Sequence, residues 1–257
     1  DMQSSEERGG CNTCYMFNHR PNSLNAGSLW GRPFYILREA WNILNAIAEG
    51  KIESGDEKKL NALKGETMAV IALCQFDLTR CFGYPYTKDN GASLGAPLID
   101  HLVGTYENPS RSTVAQAYDF IIETLEEAVT LMSEEKNNGR MNKYAARALL
   151  ARIYLYHDDN RKAFDLADQL IKDADTSGSY ALYPHEKYVA AWSVEAKFGS
   201  ESFFEIANSV DDTPGRDSWG YLLNWYGYQK GFVTQKYAEQ MLADPGDVRG
   251  QLLEENK

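Results

Sequence analysis

The sequence has no long hydrophobic run and comparatively few basic residues. Its longest unbroken apolar stretch, Met68–Cys74, has seven residues, whereas a membrane-spanning helix needs ~20. The 257 residues include 26 Lys and Arg against 37 Asp and Glu, which gives a formal net charge of -11. Because nucleic acids and anionic membrane surfaces attract basic proteins, this balance argues against both as partners. Neutral solutes and folded proteins remain as candidate partners.

The sequence also lacks the motifs that accompany common catalytic chemistries. It contains no nucleophile elbow, no phosphate-binding loop, no H-E-x-x-H zinc motif and no dinucleotide fingerprint. Its histidines are scattered without the spacing of metal ligands, which favours ordinary surface or turn positions. They are His19, His101, His157 and His185. We therefore predict no enzyme, no cofactor and no metal site, although a glycosidase carboxylate pair stays open because its separation is spatial.

Cysteine is scarce, with four residues. Cys11 and Cys14 form a lone C-x-x-C, which favours a loop disulfide or two free thiols because a second pair for zinc is missing. Cys74 and Cys81 lie seven residues apart on one predicted helix, too far to bridge each other. We interpret both as small buried apolar residues.

The start of the chain carries no targeting signal. A secretory signal needs a basic region followed by an apolar one, and the first residues, DMQSSEERGG, have neither. They resemble the middle of a chain, so we expect a fragment or a trimmed form.

Two early segments show helical periodicity. Phe34–Ala48 has apolar residues at 3–4 spacing behind Pro33, which suits the first position of a helix. Leu60–Phe82 is predicted as the next helix. Its end is abrupt, because Gly83 suits the left-handed position past a helix and Pro85 cannot continue one. This stop indicates either a packing device or the lip of a binding site, and the scaffold role is favoured for most of it.

A loop of about thirty residues, Gly83–Arg111, follows this helix. Loops of that length inside compact domains are usually functional or disordered. The next helix, predicted over Thr113–Met132, begins with a capping box in which Thr113 and Gln116 occupy the two required positions.

The following segment has the pattern of a tetratricopeptide repeat, with two helices that meet at a turn over His157–Asn160. The repeat's characteristic positions are occupied by Leu150, Ala151, Tyr154 and Ala163. The match is partial, because Arg147 replaces the first aromatic residue and Asp175 the terminal proline. Since one such unit cannot bury its faces alone, we expect the Leu60–Phe82 and Thr113–Met132 helices to form a second pair.

The predicted fold is mainly α, with tetratricopeptide-like helix pairs in an α-α superhelical scaffold, long irregular loops and few short strands. We predict a strand over Phe203–Ile206 and a last short helix over Thr234–Leu242. The predicted organisation is an irregular segment 1–33, a helical core 34–207 that includes the inserted loop 83–111, and the start of a loop-rich aromatic part, 208–257.

One dense aromatic stretch is a candidate binding site. Its residues combine flat rings with an amide side chain on irregular backbone, a composition that suits an uncharged, hydroxyl-rich ligand such as a sugar. They are Trp219, Asn224, Trp225, Tyr226 and Tyr228. Trp30, in a Gly- and Asn-rich segment, is a second candidate for ligand contact. The same composition suits a protein–protein surface, and the rings could also simply cover one end of the helical core.

Several segments, in order, resemble the SusD/RagB family over roughly Trp30 to Arg249. They are WNILNAI, ALCQFDLTRCFGYPYT, STVAQAYDFIIETLEEAVTLM, GRMNKYAARALLARIYLYHDDNRKAFDLADQLI, SESFFEI and DPGDVRG. The chain departs from the family at Thr67-Met68-Ala69, where Leu-Arg-Ala is usual. It also lacks the family's signal, its lipidated cysteine and much of its C-terminal part.

The resemblance implies a lipid-anchored protein on the outer face of an outer membrane, with its anchor absent from this chain. Such proteins bind a nutrient, usually a glycan and sometimes a peptide, and deliver it to a SusC-like TonB-dependent transporter without catalysis. The alternative from the residues is a tetratricopeptide-like module that binds a protein.

Overall fold

The computed structural model describes residues 2–4, 16–17, 24–52, 54–193, 196–209, 211–223, 226–229 and 231–253. The chain divides into two compact units. A helical unit comprises Gly27–Ala181 and Ser202–Glu205, and a second unit comprises Asp1–Ala26, Leu182–Glu201 and Ile206–Lys257. None of the described helices is long and apolar enough to cross a membrane.

The described part of the chain is mainly α-helical, as predicted. Its α-helices are α1 (Leu24–Ala48), α2 (Glu57–Phe82), α3 (Val114–Leu131), α4 (Lys143–Tyr156), α5 (Asn160–Ser177), α6 (His185–Tyr188), α7 (Trp219–Leu223) and α8 (Gln235–Leu242). Its strands are β1 (Met2–Ser4), β2 (Leu94–Pro97), β3 (Arg111–Thr113) and β4 (Gly231–Val233), which pair antiparallel as β1 with β4 and β2 with β3.

Helix α1 begins earlier than the sequence indicates. It starts at Leu24, so Pro33 lies inside the helix and not at its first position, as we had expected. An interior proline removes one backbone hydrogen bond and clashes with the carbonyl four residues earlier, here that of Leu29. The Leu29 side chain is exposed, so this turn of the helix lies at the surface.

Helices α2 and α3 pack against each other more extensively than any other pair of elements, which confirms the predicted helix pair. Asp56 caps α2 by accepting hydrogen bonds from the Lys58 and Lys59 amides, and Thr113 and Gln116 form the predicted capping box of α3. At Gly65 a Cβ atom would lie 2.7 Å from Met132 Cγ and 2.9 Å from a backbone oxygen of α3. Glycine at this position therefore allows the two helices to approach closely.

Helix α2 ends at Phe82 as predicted, but the conformation predicted for Gly83 is wrong. Gly83 is extended, with φ -110° and ψ 168°. Its amide donates to the Thr79 carbonyl at 2.8 Å, and an added Cβ would lie 2.6 Å from that oxygen and 3.0 Å from Val114 Cγ2. Space, and not a left-handed backbone, is what requires glycine here.

Helices α4 and α5 confirm the predicted repeat-like pair. Asn142 caps α4 by accepting from the Ala145 amide at 3.0 Å, and the chain turns between Tyr156 and Asn160. Tyr154 is buried and donates its hydroxyl to Glu126 of α3, which ties the two pairs together. Arg147, in the position of the repeat's first aromatic residue, forms an ion pair of 2.7 Å with Asp173 across the two helices.

The segment between α2 and α3 is ordered. A short 3-10 helix, Tyr86–Lys88, leads into the β2–β3 pair. Arg111 fastens this pair by donating from Nε to the Gly95 carbonyl at 2.6 Å. The β2–β3 pair therefore joins the two ends of the loop that runs from Pro97 to Arg111.

The predicted strand over Phe203–Ile206 is wrong, because these residues have no regular secondary structure. Phe203 packs its ring against Tyr144 and Tyr180, so its burial comes from helix packing and not from a sheet. The predicted helix over Thr234–Leu242 is confirmed, with Thr234 as its N-cap.

The two cysteines of helix α2 differ in their exposure to solvent. Cys74 is buried, as predicted, but Cys81 is exposed, which corrects that part of the prediction. Cys81 lies on the last turn of α2 and is not among the buried residues of that helix. Cys11 and Cys14 lie outside the described residues.

Candidate functional site

The helical unit contains an open pocket of about 380 Å³ between α1 and the loop that precedes α3. Trp30, Phe34 and Arg38 form the helical wall, and because they are four residues apart they share one face of α1. The loop wall consists of Pro97, Ile99, His101, Val103 and Pro109. Of the predicted ligand-contact residues, the pocket thus contains Trp30.

The Trp30 indole is held at the edge of this pocket by two other rings. Its centroid lies 5.1 Å from that of Phe34 and 4.8 Å from that of Phe82, both in edge-to-face arrangements. Edge-to-face pairs are favoured by the ring quadrupoles. With 38% of its surface exposed, Trp30 combines contacts to two rings with an accessible part of its own side chain.

Side chains of helices α1 and α2 hydrogen-bond to the backbone of the loop wall. The fully buried Gln75 side chain donates from Nε2 to the Pro97 carbonyl at 3.0 Å and accepts from the Ile99 amide at 3.3 Å. Trp41 of α1 donates from Nε1 to the Ile99 carbonyl at 3.1 Å. These three hydrogen bonds fix the backbone that carries Pro97 and Ile99 into the pocket.

His101 lies between two carboxylates on the pocket rim. Its Nδ1 is 2.6 Å from Asp100 Oδ1, and its Nε2 is 2.7 Å from Glu107 Oε1. These hydrogen bonds, first that with Asp100, raise the pKa of the imidazole above its usual value. The pKa of Glu107 is lowered, first by the hydrogen bond that it accepts from the Gly104 amide at 3.1 Å and then by His101.

Arg38 is the other polar residue of the pocket. Its Nε and Nη2 donate to Glu39 Oε1 at 3.1 Å and 2.8 Å. An exposed ion pair of this kind contributes little to stability. The hydrogens on Nη1 and the second hydrogen on Nη2 remain for a ligand acceptor.

This arrangement can bind and orient a ligand that has a flat apolar face. An aromatic platform, an apolar wall and a few polar groups are the usual parts of a small-molecule site. Within the described ranges, no three His, Cys, Asp or Glu side chains converge in a way that could hold a metal ion.

The other predicted ligand-contact residues belong to the second unit. The Tyr226 side chain is 88% exposed, and the Tyr228 ring packs edge-to-face on Tyr221 at 5.1 Å. Asn224, Trp225 and the side chain of Trp219 lie outside the described part of the chain. The binding role predicted for this stretch remains a prediction.

Sequence reasoning missed the loop wall and its support. Ile99, Val103 and Pro109 have no periodic pattern that would place them opposite Trp30. Gln75 carried a usable signal, because it is a polar residue on the buried face of α2 that also holds Ile71 and Leu78. Such a residue must find hydrogen-bond partners inside the protein.

Comparison with known proteins gives a consistent result. The sequence model of a SusD-like family, described as starch-binding and associating with the outer membrane, matches residues 4–155, more than half of the chain. Among proteins of curated function, none matches the sequence significantly.

Solved structures show the same likeness over 95% or more of the chain. A SusD superfamily protein from Bacteroides vulgatus is 98% identical, with a TM-score of 0.93 over 100% of this chain and 58% of its own. A SusD superfamily protein from Bacteroides thetaiotaomicron is 31% identical, with a TM-score of 0.84 over 95% of this chain and 55% of its own. A laminarin-binding SusD-like protein, 21% identical with a TM-score of 0.71, shares the fold over 96% of this chain and 56% of its own. The chain thus spans somewhat more than half the length of these relatives.

Proposed function

Because the chain belongs to the SusD-like family of carbohydrate-binding proteins, we propose that it binds an oligosaccharide in the Trp30 pocket and does not transform it. The observation that carries this proposal is the position of the indole. The indole contacts two neighbouring rings, keeps 38% of its surface exposed and lines a pocket that has an apolar loop wall. A sugar ring presents an apolar face of C–H groups that can cover such a ring.

The whole protein would then supply the bound glycan to a membrane transporter. The family is described as associating with the outer membrane, which supports a location at that membrane. We propose a lipid anchor outside this chain, exposure at the cell surface and a SusC-like TonB-dependent transporter as the partner. These elements follow from the family resemblance and not from a contact within this chain.

The aromatic stretch Trp219–Tyr228 is proposed as a second place of ligand contact. Its exposed Tyr226 and its Tyr228–Tyr221 ring pair support this role, because exposed aromatic side chains beside polar groups are typical of recognition surfaces.

Isothermal titration of the full chain against a panel of neutral and acidic oligosaccharides tests the proposal. We expect at least one to bind, and we expect Trp30→Ala to weaken that binding by about tenfold or more. Trp192→Ala is the matched control, because Trp192 is also exposed but does not line the pocket. A silent panel together with capture of a peptide or protein ligand would favour the interaction-module alternative. Turnover of a panel sugar would contradict the absence of catalysis.

A further inference from the structure

Most of the residues that line the pocket are apolar. Only two of its eight lining residues, Arg38 and His101, are polar. The loop wall opposite Trp30 consists of proline, isoleucine and valine side chains apart from His101. Ile99 is buried, and its backbone is fixed by Gln75 and Trp41, so this wall cannot easily turn backbone groups toward a ligand.

This wall is a poor match for sugar hydroxyls. A hydroxyl that leaves water and finds no partner costs roughly 1–3 kcal/mol by mutational measures. A sugar hydroxyl turned toward Val103 or Ile99 would carry this cost. A ligand that presents an apolar group there avoids this cost.

The two polar lining residues offer donors and no free acceptor. Both ring nitrogens of His101 are occupied by Asp100 and Glu107. Arg38 cannot accept a hydrogen bond. Glu39 takes one hydrogen from Nε and one from Nη2, which leaves the two on Nη1 and the second on Nη2. The pocket therefore combines hydrogen-bond donors on Arg38 and Trp30 with an adjacent apolar wall.

An acetamido group has the complementary chemistry, a carbonyl acceptor bonded to a methyl group. We infer that this pocket selects an N-acetylated sugar, with Arg38 donating to the acetamido carbonyl and the loop wall around Val103 covering its methyl group. This inference rests on the proposed glycan-binding function and names the class of sugar. The methyl group of a deoxy sugar would leave the donor unused, and a sugar carboxylate would leave the apolar wall uncovered.

Two matched ligand pairs test the inference. N,N′-Diacetylchitobiose differs from cellobiose by an acetamido group in place of a hydroxyl on each ring. N-Acetyllactosamine differs from lactose in the same way on one ring. We expect isothermal titration of the full chain to show tighter binding of the N-acetylated member, on the order of tenfold in at least one pair. Equal binding within both pairs, or preference for the hydroxyl member, would overturn the inference and leave the proposed function standing.

Substitutions at Val103 and Arg38 test whether these residues produce the preference for N-acetylated sugars. Val103→Thr keeps the side-chain shape but replaces a methyl group with a hydroxyl, so it should reduce the preference for the N-acetylated sugar severalfold. Val189 does not line the pocket, so Val189→Thr should leave this preference unchanged. Arg38→Met should weaken the N-acetylated ligand more than its partner, with Arg161→Met as the matched control. Circular dichroism checks that each variant is folded.

Two further outcomes are decisive. Selectivity that survives both Trp30→Ala and Val103→Thr would place the N-acetyl site elsewhere and overturn the assignment to this pocket. If none of the four disaccharides and no member of the larger oligosaccharide panel binds, both the proposed function and this inference fail.

Discussion

The side chain of Gln75 holds the backbone at Ile99. It accepts a hydrogen bond from the Ile99 amide at 3.3 Å and, through its own amide group, donates to Pro97 two residues earlier. Gln75 is on α2 and is fully buried, whereas Ile99 lines the pocket. A residue without ligand contact thus determines the position of one pocket wall.

The first prediction concerns this link. Gln75→Leu keeps most of the side-chain volume but leaves the Pro97 carbonyl and the Ile99 amide without their partner. We expect a loss of about 2 kcal/mol in the free energy of unfolding, the cost of leaving buried polar groups unpaired. Urea unfolding followed by circular dichroism measures it. Gln169→Leu on the exposed face of α5 is the control and should change stability by less than about 0.5 kcal/mol; equal effects of the two would refute the supporting role.

The second prediction concerns the crossing of α2 and α3. Gly65→Ala should destabilise the protein by roughly 1–3 kcal/mol, because its Cβ would overlap Met132 and the backbone of α3. Gly31→Ala should be neutral or stabilising by up to about 1 kcal/mol, since its Cβ meets nothing within 4 Å in a helix. Thermal and urea unfolding of both variants provide the comparison. A stable Gly65→Ala variant would mean that the helices are not closely packed at this point.

The third prediction concerns thiol reactivity. Burial, with a smaller effect from the Asp77 charge, raises the pKa of the Cys74 thiol to about 12, whereas Cys81 is exposed. Because the thiolate is the reactive form, iodoacetamide at pH 8 should label Cys81 faster than Cys74 by on the order of a hundredfold. Peptide mapping by mass spectrometry gives the two rates separately. In denaturant the rates should converge, and rapid native labelling of Cys74 would contradict its burial.

The fourth prediction concerns the ionisation of His101. Its pKa is raised above 6.5 by Asp100 and Glu107, and that of Glu107 is lowered below 4.5. The stabilisation from His101 is therefore complete below pH 6.5 and lost as pH rises through its folded-state pKa. That from Glu107 is present above pH 4.5 and lost as pH falls through its own. The contact should be strongest between about pH 4.5 and 6.5.

Proton NMR titration of the imidazole checks this prediction. The His101 resonance should titrate above pH 6.5, and Glu107→Gln should lower its pKa. A His101 pKa unaffected by Glu107→Gln would refute the contact.

The fifth prediction concerns the aromatic stretch of the second unit. If it contacts the glycan, the Trp219→Ala/Trp225→Ala double variant should weaken a confirmed ligand by about tenfold or more. Isothermal titration measures the change, and Trp192→Ala again serves as the control. Unchanged affinity would exclude this stretch and leave Trp30 as the aromatic contact.

Local patterns predicted most of the helical unit. The capping box at Thr113 and Gln116 and the turn after Tyr156 depend on neighbours within a few residues, so they could be recognised in the sequence. The lack of space for a side chain at Gly83 could not, because one of the crowding atoms belongs to Val114 in the next helix. Phe203 has strand-like neighbours, but its packing on Tyr144 and Tyr180 determines its environment.

The pocket was predictable only in part for the same reason. Trp30 could be proposed from its local context, whereas Val103 and Pro109 face it through the course of a long loop. The link between Trp41 and Ile99 joins residues 58 positions apart, and no local rule connects them. Gln75 is the exception, since a polar residue on a buried helical face indicates a specific partner.

The fastening of the loop wall has a consequence for the thermodynamics of binding. A flexible loop must lose conformational freedom when a ligand arrives, and immobilised side chains each cost about 0.5–1.5 kcal/mol. Here Gln75 and Trp41 already hold the backbone at Pro97 and Ile99, and two rings already hold Trp30. The conformational entropy of this wall is therefore lost when the protein folds, and not when a ligand binds. A larger share of the interaction energy with the ligand then contributes to affinity.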